Sequence, residues 1–389
     1  MSKRLPAGSP GLLRRLNSAA VLHAVRADGP VSRSELARAT GLSKPTVNAA
    51  VELLLEQGYV SEDGEAASGR PGRRPRLLRF ASGLGHVLGI DIGANKVLVL
   101  VADLGGEVLA TGRRRSEPDA LLELVEEAAA EALLAAGVGP ESLKAVGVGT
   151  PGVVDPVSGR VTLAPQLPGW EGLELGARLE PSFACPVLVD NEVRLSLLAE
   201  RWRGAAQEID DAFFVQIGIG IGGGVLFGGE VYRGASGAAG EIGYLPLFDD
   251  EPSDGLGPFE HAAGGSAFAR LAQRAGLAAV DAETVFAAAA AGDAVATQVL
   301  ETLLDRLARG IAAAIVVLNP ATVIVGGGIS RAGEQLRGPL ERRIRALVPV
   351  APRVILSQLG DEAVALGGVR LALHEVEQSL FDFGALELV

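Results

Sequence analysis

Three apolar runs in this 389-residue chain each end in a cluster of glycines, and this pattern restricts the fold more than any other feature. The runs are HVLGIDIGANK from residue 86, AFFVQIGIGIGGG from residue 212 and TVIVGGGIS from residue 322. Glycine after a strand lets the backbone turn with positive φ and lets successive N–H groups approach a ligand, most often a phosphate. One such turn is often only a tight hairpin, whereas three in one chain favour a cleft of nucleotide-binding ancestry.

The same pattern predicts two related lobes. The strand, glycine turn and strand at 86–112 recur in similar form at 212–234, and segments with helical spacing follow each of them. The third glycine cluster follows a long helical pattern at 293–318. An alternation of strands and helices of this kind is typical of an α/β body.

The formal net charge of −12 is unevenly distributed along the chain. Residues 1–80 contain 13 Lys and Arg against 7 Asp and Glu, whereas the remaining residues contain 22 against 40. This asymmetry predicts a basic module at 1–80 joined to an acidic body at 81–389. The body would repel nucleic acid, and the N-terminal module would not.

The composition excludes several other classes of protein. Cys185 is the single cysteine, which excludes an internal disulfide and a cysteine-cluster metal site. No apolar run reaches the roughly 18 residues of a membrane span, and IAAAIVVL at 311–318 is followed by Asn319 and Pro320. The N-terminus lacks the apolar core of a secretory signal. We therefore expect a cytoplasmic protein with no membrane partner.

The basic module begins with two short helical patterns separated by a break. The first pattern has an apolar stripe of Ala20, Val21, Ala24 and Val25, and it stops at the Asp-Gly-Pro of 28–30. Ser32 with Glu35 three residues later is a capping box for a second helix, which closes at Gly41.

A third helical pattern has one apolar and one polar face. Ser43 can cap it, Pro45 suits its first turn, and Val47, Val51 and Leu54 fall on the apolar face with Leu55. A recognition helix contacts base edges in the major groove through polar residues at its N-terminus. The candidates for DNA contact are Ser43, Lys44, Thr46 and Asn48.

Two strand patterns follow the third helix and flank a loop rich in Gly, Pro and Arg. Such a wing suits phosphate contact or insertion of an arginine into a minor groove. Three-helix modules also occur as structural or protein-binding units, and exposed arginines are often only solvated. The capped helices, the polar face and the basic wing together favour DNA binding. The wing candidates are Arg70, Arg73, Arg74 and Arg76.

Three polar residues end the apolar run PVLV in the acidic body. Asp190, Asn191 and Glu192 precede the segment LSLLAERW, which has helical spacing. Polar residues at the end of a strand indicate either turn chemistry or a binding site. We interpret Asp190 as a turn residue or helix N-cap and predict that Asn191 and Glu192 belong to a site.

Together these motifs resemble the ROK family (repressors, open reading frames, kinases), specifically its regulators, in which a winged helix precedes a sugar-kinase-like body. DIGANK at 91–96 and GIGIGGG at 218–224 are similar to the family's two phosphate loops, and VGGGIS at 325–330 to its adenosine loop. VGTPGVVD at 148–155 resembles a substrate-side loop and GAAGEIGY at 237–244 the signature segment. The resemblance covers residues 11–80 and about 86–375.

The resemblance implies an α/β fold with an N-terminal winged helix-turn-helix and a two-lobed actin-like body, usually dimeric. A sugar would lie between the lobes, since carboxylates and amides bind adjacent hydroxyl pairs. The sugar-site residues carried over by position are Gly152, Asn191, Glu192, Glu241, Tyr244 and Glu260. The possible nucleotide-site residues are Asp91, Gly93, Lys96, Gly218, Gly220, Gly222, Gly223, Gly326 and Gly327.

Glu192 departs from the family's kinases, in which an Asp follows the Asn and acts as the base toward the sugar hydroxyl. Glu is one methylene longer, which moves the carboxylate by on the order of 1 Å and can cost around a hundredfold in rate. Sugar binding can persist without catalysis, so no catalytic residue and no kinase activity are expected.

The second departure concerns metal. Family members usually bind zinc through a His at the end of the signature segment and through downstream cysteines. Tyr244 occupies the His position, and the following LFDDEPSDGLGPFEH contains no cysteine and only His261 as a nitrogen ligand. Zinc needs about four ligands. We therefore expect no structural zinc and no required cofactor, while ATP with Mg²⁺ stays possible in the glycine loops.

Three functions remain open from the sequence. The first is a transcriptional repressor that responds to a sugar effector. It would bind operator DNA as a homodimer or dimer of dimers. The second is a bifunctional ATP-dependent sugar kinase with a DNA-binding domain, favoured by the glycine loops and by Asp91 as a possible Mg²⁺-water ligand. The third is a DNA-binding protein whose cleft has no ligand.

Overall fold

The chain folds into a small N-terminal helical domain followed by two α/β lobes. The computed structural model describes residues 10–65, 76–164, 167, 169–248, 255–278 and 281–381. A three-stranded sheet belongs to the N-terminal domain, and a five-stranded sheet forms the centre of each lobe.

The N-terminal domain has the element order of a winged helix. β3 lies between β1 and β2 and is antiparallel to both, and the helices pack on this sheet around one apolar core. The short strand β1 was not predicted. The elements are α1 (Pro10–Asp28), β1 (Val31–Ser32), α2 (Arg33–Thr40), α3 (Lys44–Glu56), β2 (Val60–Glu65) and β3 (Arg76–Phe80).

Local capping fixes the beginnings of α2 and α3, as the sequence predicts. Ser32 caps α2, and it forms a capping box with Glu35. Ser43 caps α3 by accepting a hydrogen bond from the N–H of Thr46 at 3.3 Å. Pro45 lies in the first turn, where its missing N–H costs little.

The first lobe consists of a sheet with helices on both faces. The sheet order is β10-β7-β4-β5-β6, and β8 and β9 form a separate hairpin. The elements are β4 (His86–Ile92), β5 (Lys96–Asp103), β6 (Val108–Arg115), α4 (Leu121–Ala136), β7 (Leu143–Thr150), β8 (Val153–Val154), β9 (Val161–Leu163), α5 (Leu175–Phe183), β10 (Val187–Asn191) and α6 (Glu192–Arg203).

The second lobe has the sheet order β13-β12-β11-β14-β15. Its last strand is followed by a helix, α12, that returns to the first lobe. The elements are β11 (Ala212–Ile217), β12 (Ile221–Phe227), β13 (Glu230–Tyr232), α7 (Pro258–Ala263), α8 (Gly265–Arg274), α9 (Ala282–Ala290), α10 (Ala294–Leu318), β14 (Thr322–Gly326), α11 (Glu334–Leu347), β15 (Arg353–Leu356) and α12 (Ala363–Phe381).

The two lobes share one topology. In each, the first three strands form an antiparallel meander, the fourth is parallel to the first, and the fifth is parallel to the fourth. The similar glycine-containing segments at 86–112 and 212–234 occupy equivalent strands. The prediction of two related lobes is therefore correct.

The long helix predicted at 293–318 is α10. Asp293 caps it by accepting hydrogen bonds from the N–H groups of Val295 at 2.8 Å and Ala296 at 2.9 Å. One face of α10 packs in the core of the second lobe. Within the described ranges, no helix is long and apolar enough to cross a membrane.

Helix α12 lies against the sheet of the first lobe at backbone distance. A Cβ on Gly89 would fall within 3.0 Å of the Ala365 carbonyl oxygen and of the Val369 nitrogen. Gly147 on β7 faces Gly368 in the same way. The glycines of β4 and β7 therefore allow a helix to pack where any larger residue would overlap its backbone.

The N-terminal domain is anchored to the first lobe through α12. Phe80, at the end of β3, packs against the core of the N-terminal domain and against the layer beneath α12. Arg26 in α1 forms an ion pair with Glu377 in α12, and Arg370 contacts the same carboxylate. The Arg26 guanidinium also lies 5.9 Å from the centre of the Phe80 ring.

Candidate ligand cleft and DNA-binding face

The cleft lies where strands of both lobes end. Strands β4, β7 and β10 are parallel, and their register places Asp91 beside Gly149 and Asn191 beside Thr150. Polar residues that follow different strands therefore meet at one edge of the sheet. Loops after β11 and β14 line the opposite side. The cavity between the lobes has a volume of about 430 Å³, which suits a small-molecule ligand.

The residues predicted for the sugar site and for the nucleotide site all line this cavity, with one exception. Gly326 is not among the lining residues, and a Cβ there would fall within 3.0 Å of the Phe214 ring, which indicates a packing position. On the sugar side the lining includes Gly152, Asn191, Glu192, Glu241, Tyr244 and Glu260. On the nucleotide side it includes Asp91, Gly93, Lys96, Gly218, Gly220, Gly222, Gly223 and Gly327.

Asn191 is the N-cap of α6. Its side-chain oxygen accepts hydrogen bonds from the N–H groups of Val193 at 2.9 Å and Arg194 at 3.2 Å. Its side-chain nitrogen donates to the carbonyl of Gly152 at 2.9 Å. These bonds fix the amide at the cleft wall, so a ligand would meet an oriented N–H donor.

Asp190 does not cap the helix, contrary to our interpretation of the sequence. It is 4 % exposed, and its Oδ1 accepts from the Asn191 N–H at 2.7 Å and from Nε of Arg194 at 2.5 Å. Its Oδ2 accepts from Nε of Arg233 at 2.9 Å. The neighbouring amide of Asn191 caps the helix instead, while both oxygens of Asp190 are engaged by arginines.

Glu192 is held in its neutral form by its surroundings. Burial, together with the neighbouring carboxyls of Asp91, Glu241 and Glu260, raises the pKa of Glu192 to about 8 against the smaller lowering effect of Lys96. Burial likewise raises the pKa of Asp91 to about 6 and that of Glu241 above its usual range. A protonated Glu192 can donate a hydrogen bond at neutral pH, but it cannot accept a proton as a base.

Replacing Glu192 by Gln should raise the melting temperature at about pH 8 and leave it nearly unchanged at about pH 5. The folded protein holds the Glu192 proton up to about pH 8, whereas the unfolded chain releases it near its ordinary pKa. Its contribution to stability is therefore fully present at low pH and is lost as the pH rises toward 8. Thermal unfolding across this range measures the effect.

The exposed Glu301 on α10 supplies the control. Glu301→Gln should alter the melting temperature equally at both pH values. If Glu192→Gln behaved in the same way, Glu192 would not carry a raised pKa.

Lys96 and Arg331 at the nucleotide end of the cleft both contact Asp361. The sequence did not predict this arrangement. Nζ of Lys96 donates to the Asp361 carbonyl at 2.7 Å, and Nη2 of Arg331 pairs with the Asp361 carboxylate at 2.6 Å. Lys96 also lies 3.4 Å from the carboxylate of Asp91. A phosphate group entering this end would compete with Asp361 for both cations.

The segment after Tyr244 packs through aromatic contact. Phe248 stacks on Phe259 with ring centres 6.1 Å apart, and Phe259 is fully buried in α7. The part of the chain that the structure describes has no group of three or more His, Cys, Asp or Glu side chains suited to a metal ion. Residues 249–254 lie outside it, so the absence of a zinc site stays a prediction.

Helix α3 presents the predicted polar face to solvent. Lys44 and Asn48 are exposed, and Thr46 is half-buried with its hydroxyl 2.8 Å from that of the capping Ser43. On the opposite face, the buried residues are Val47, Ala50, Val51 and Leu54. The helix thus has the two faces that base contact from its N-terminus requires.

The wing is only partly described. β2 and β3 form the two strands predicted from the sequence, with Arg76 at the beginning of β3 paired with Glu62. That pairing reduces the charge that Arg76 offers to a phosphate. Arg70, Arg73 and Arg74 lie outside the described residues.

A winged helix joined to two lobes of equal topology around a polar cleft defines a class: DNA-binding proteins with a sugar-kinase-like body. The ROK family model matches residues 87–375, and the MarR family model matches residues 11–73. The chain belongs to the ROK family, and its MarR-type N-terminal domain is that of the family's transcriptional regulators. The predicted fold class is thereby confirmed.

Relatives of known name agree with this assignment. The xylose repressor of Caldicellulosiruptor bescii is 28% identical over 393 residues, covering 95% of this chain and 98% of the repressor. A crystal structure of a ROK family transcriptional regulator, a homologue of the E. coli Mlc protein, has a TM-score of 0.77 at 24% identity and covers 95% of this chain and 97% of its own.

A kinase structure matches a smaller part of this chain. The ROK family glucokinase from Streptomyces griseus, crystallised with glucose and AMPPNP, has a TM-score of 0.66 at 29% identity. It covers 75% of this chain and 100% of its own.

Proposed function

We propose that this protein is a transcriptional repressor whose affinity for operator DNA changes when a sugar or sugar derivative occupies the cleft. One observation supports it above all: a chain with an outward-facing recognition helix also contains a cleft lined by amide and carboxyl groups between two lobes. The similarity to named repressors over nearly the whole chain agrees with it.

The sugar site would combine groups of both lobes. Asn191 offers an oriented amide donor and Glu192 a protonated carboxyl from the first lobe, while Glu241 and Glu260 offer carboxyl oxygens from the second. Sugar hydroxyls both donate and accept, so this mixed set can satisfy adjacent hydroxyls. A sugar bound to both lobes would favour the closed arrangement over the open one.

Closure can reach the DNA-binding domain because that domain is anchored to one lobe. Arg26 and Phe80 attach it to the first lobe through α12, so a rotation between the lobes would carry it along. In a homodimer, or a dimer of dimers, this rotation would change the distance between two recognition helices. Half-sites about 34 to 36 Å apart require a fixed distance, and a coupling of about 1 to 3 kcal/mol changes affinity by about 5- to 150-fold.

The alternative is a sugar kinase that also binds DNA. The glycine loops and the similarity of the body to a glucokinase favour it. Against it, Glu192 is longer than the family's Asp and keeps its proton near neutral pH. The proposal requires no cofactor, and ATP with Mg²⁺ would be an additional ligand rather than a co-substrate.

A coupled assay with ATP and Mg²⁺ separates these two functions. The repressor proposal expects no turnover with xylose, glucose or N-acetylglucosamine. Turnover by the unchanged protein would establish the kinase. A thermal-shift screen with the same sugars addresses the third possibility, since a sugar that binds the folded state raises its melting temperature.

Substitutions in the recognition helix and in the wing should have different effects on DNA binding. Asn48→Ala should change the sequence preference by about 1 to 3 kcal/mol at one base position. Arg73→Ala with Arg74→Ala should weaken binding to all sequences alike and reduce its salt dependence, because the charges of these residues suit phosphate. Binding of operator variants at several salt concentrations measures both effects. Identical behaviour of the two variants on every DNA would overturn the assignment of helix and wing.

A further inference from the structure

Arg194 is a buried arginine beside the cleft that no part of the proposed function uses. It lies in the first turn of α6, two residues after Glu192, and is 2 % exposed. Its three donor nitrogens are all engaged. Nε donates to Asp190 at 2.5 Å, one terminal nitrogen donates to the carbonyl of Gly237, and the other donates to the carbonyl of Val154 at 3.3 Å.

These acceptors belong to both lobes. Asp190 and Val154 are in β10 and β8 of the first lobe, whereas Gly237 is in the loop that follows β13 of the second. The two backbones touch at this point, because a Cβ on Gly237, which has a φ of 79°, would fall within 3.0 Å of the Val154 oxygen. Arg194 therefore binds both sides of a direct contact between the lobes.

A second arginine connects the loop that follows β13 to the first lobe. Arg233 of the second lobe contacts Oδ2 of Asp190 through Nη2 at 2.8 Å. Asp190 thus holds one arginine from each lobe. Removing charges from water offsets much of their attraction, so a gain in stability is a weak reason for burying this ion pair. The better reason is a fixed point of contact at the Gly237 loop, about which the lobes can still rotate.

The fastened loop carries part of the proposed sugar site. Glu241 follows Gly237 by four residues, and its N–H donates to the Ala238 carbonyl at 3.3 Å within the same loop. The Arg194 charge is close enough to lower the pKa of Glu241 against the stronger effect of burial. The backbone N–H of Arg194 also donates to the side chain of Asn191. One residue therefore contacts the elements that hold both halves of the site.

We propose that Arg194 is a positioning residue, which sets the place of Glu241 relative to Asn191 and Glu192 and so determines sugar affinity without touching the sugar. This inference rests on the proposed sugar-binding function. It places the control of affinity in the contact between the lobes. Asp190 and Arg233 support the same geometry.

The test is a double-mutant cycle between Arg194→Gln and Glu241→Gln, with affinities for xylose, glucose and N-acetylglucosamine measured by calorimetry. Arg194→Gln alone should weaken binding of the effective sugar by on the order of tenfold, corresponding to about 1.4 kcal/mol. In a chain that already has Glu241→Gln, the same change should have less than about a twofold effect. If Arg194→Gln only damaged the structure in general, it would weaken sugar binding by the same factor in both backgrounds.

Two further variants keep the test decisive. Arg233→Gln alters a partly exposed side chain at the same carboxylate, so this variant should fold. It should cause a smaller loss of sugar affinity, and this loss should also largely disappear in the Glu241→Gln background. Arg343→Gln breaks ion pairs of α11 with Glu301 and Asp305 of α10, and it should leave sugar affinity unchanged.

The outcomes separate the two proposals. If the unchanged protein bound none of the three sugars, the proposed function would fail. Suppose instead that the unchanged protein bound one sugar, and that the Arg194 and Arg233 substitutions weakened this binding by the same factor in the wild-type and in the Glu241→Gln background. The positioning role would then be wrong, while the sugar site would remain.

Discussion

Replacing Glu241 by Gln should weaken sugar binding by about a hundredfold and leave the affinity of the sugar-free protein for its operator unchanged. The carboxylate can accept hydrogen bonds from two adjacent hydroxyls, and a charged acceptor contributes about 1.5 to 3 kcal/mol per bond, whereas the amide retains one neutral acceptor. Glu241 lies in the second lobe, distant in sequence from α3 and the wing. Calorimetry for the sugar and fluorescence anisotropy for labelled operator DNA measure the two affinities.

The control is Glu301→Gln, which removes an exposed carboxylate from α10 of the same lobe. It should alter neither affinity. A Glu241→Gln protein that still responded to sugar like the unchanged protein would remove Glu241 from the site.

Replacing Gly89 by Ala should reduce the free energy of unfolding of the body by at least about 3 kcal/mol. The added methyl group would overlap the backbone of α12 at Ala365 and Val369, and a helix backbone cannot yield as a flexible side chain can. Displacement of α12 would also move Val364, which lines the cleft, and Glu377, which binds Arg26. Chemical unfolding followed by far-UV circular dichroism measures the loss.

Gly83→Ala is the matched control, since a Cβ at Gly83 meets no atom within 4 Å. Its stability should stay within about 0.5 kcal/mol of the unchanged protein. Equal stability of the two variants would contradict the close packing of α12 on the sheet.

Local signals in the sequence were sufficient for the elements that depend on neighbouring residues. Ser32 with Glu35 and Ser43 with Pro45 each begin a helix at the position that capping chemistry requires. The glycine clusters likewise mark the ends of strands in both lobes, because a change of chain direction there depends on only a few residues.

Features that depend on distant residues were not predicted. The sequence showed Asp190 and Arg194 four residues apart but could not show that Arg233 and Gly237 approach them from the other lobe. The partnership of Asp361 with Lys96 and Arg331 was missed for the same reason. Each contact joins residues that are far apart in the sequence, so no local pattern contains it.

Periodicity also misplaced one side of α1. The apolar spacing put Ala20 in the apolar stripe of the helix, whereas Ala20 is exposed and Leu22 is buried with Val21 and Val25. Alanine is compatible with both the core and the solvent-exposed surface, so the larger Leu22 decides which face of α1 is buried. The sheet and α3 determine that choice through packing, which a single helix pattern does not contain.

The most direct test of a repressor controlled by its cleft is the affinity for operator DNA with and without sugar. An operator can be selected from genomic fragments bound by the full chain and then titrated in the presence of saturating xylose, glucose or N-acetylglucosamine. We expect at least one sugar to change the dissociation constant of the operator complex by about 5- to 150-fold. A dissociation constant that stayed the same with a sugar shown by calorimetry to occupy the protein would contradict it.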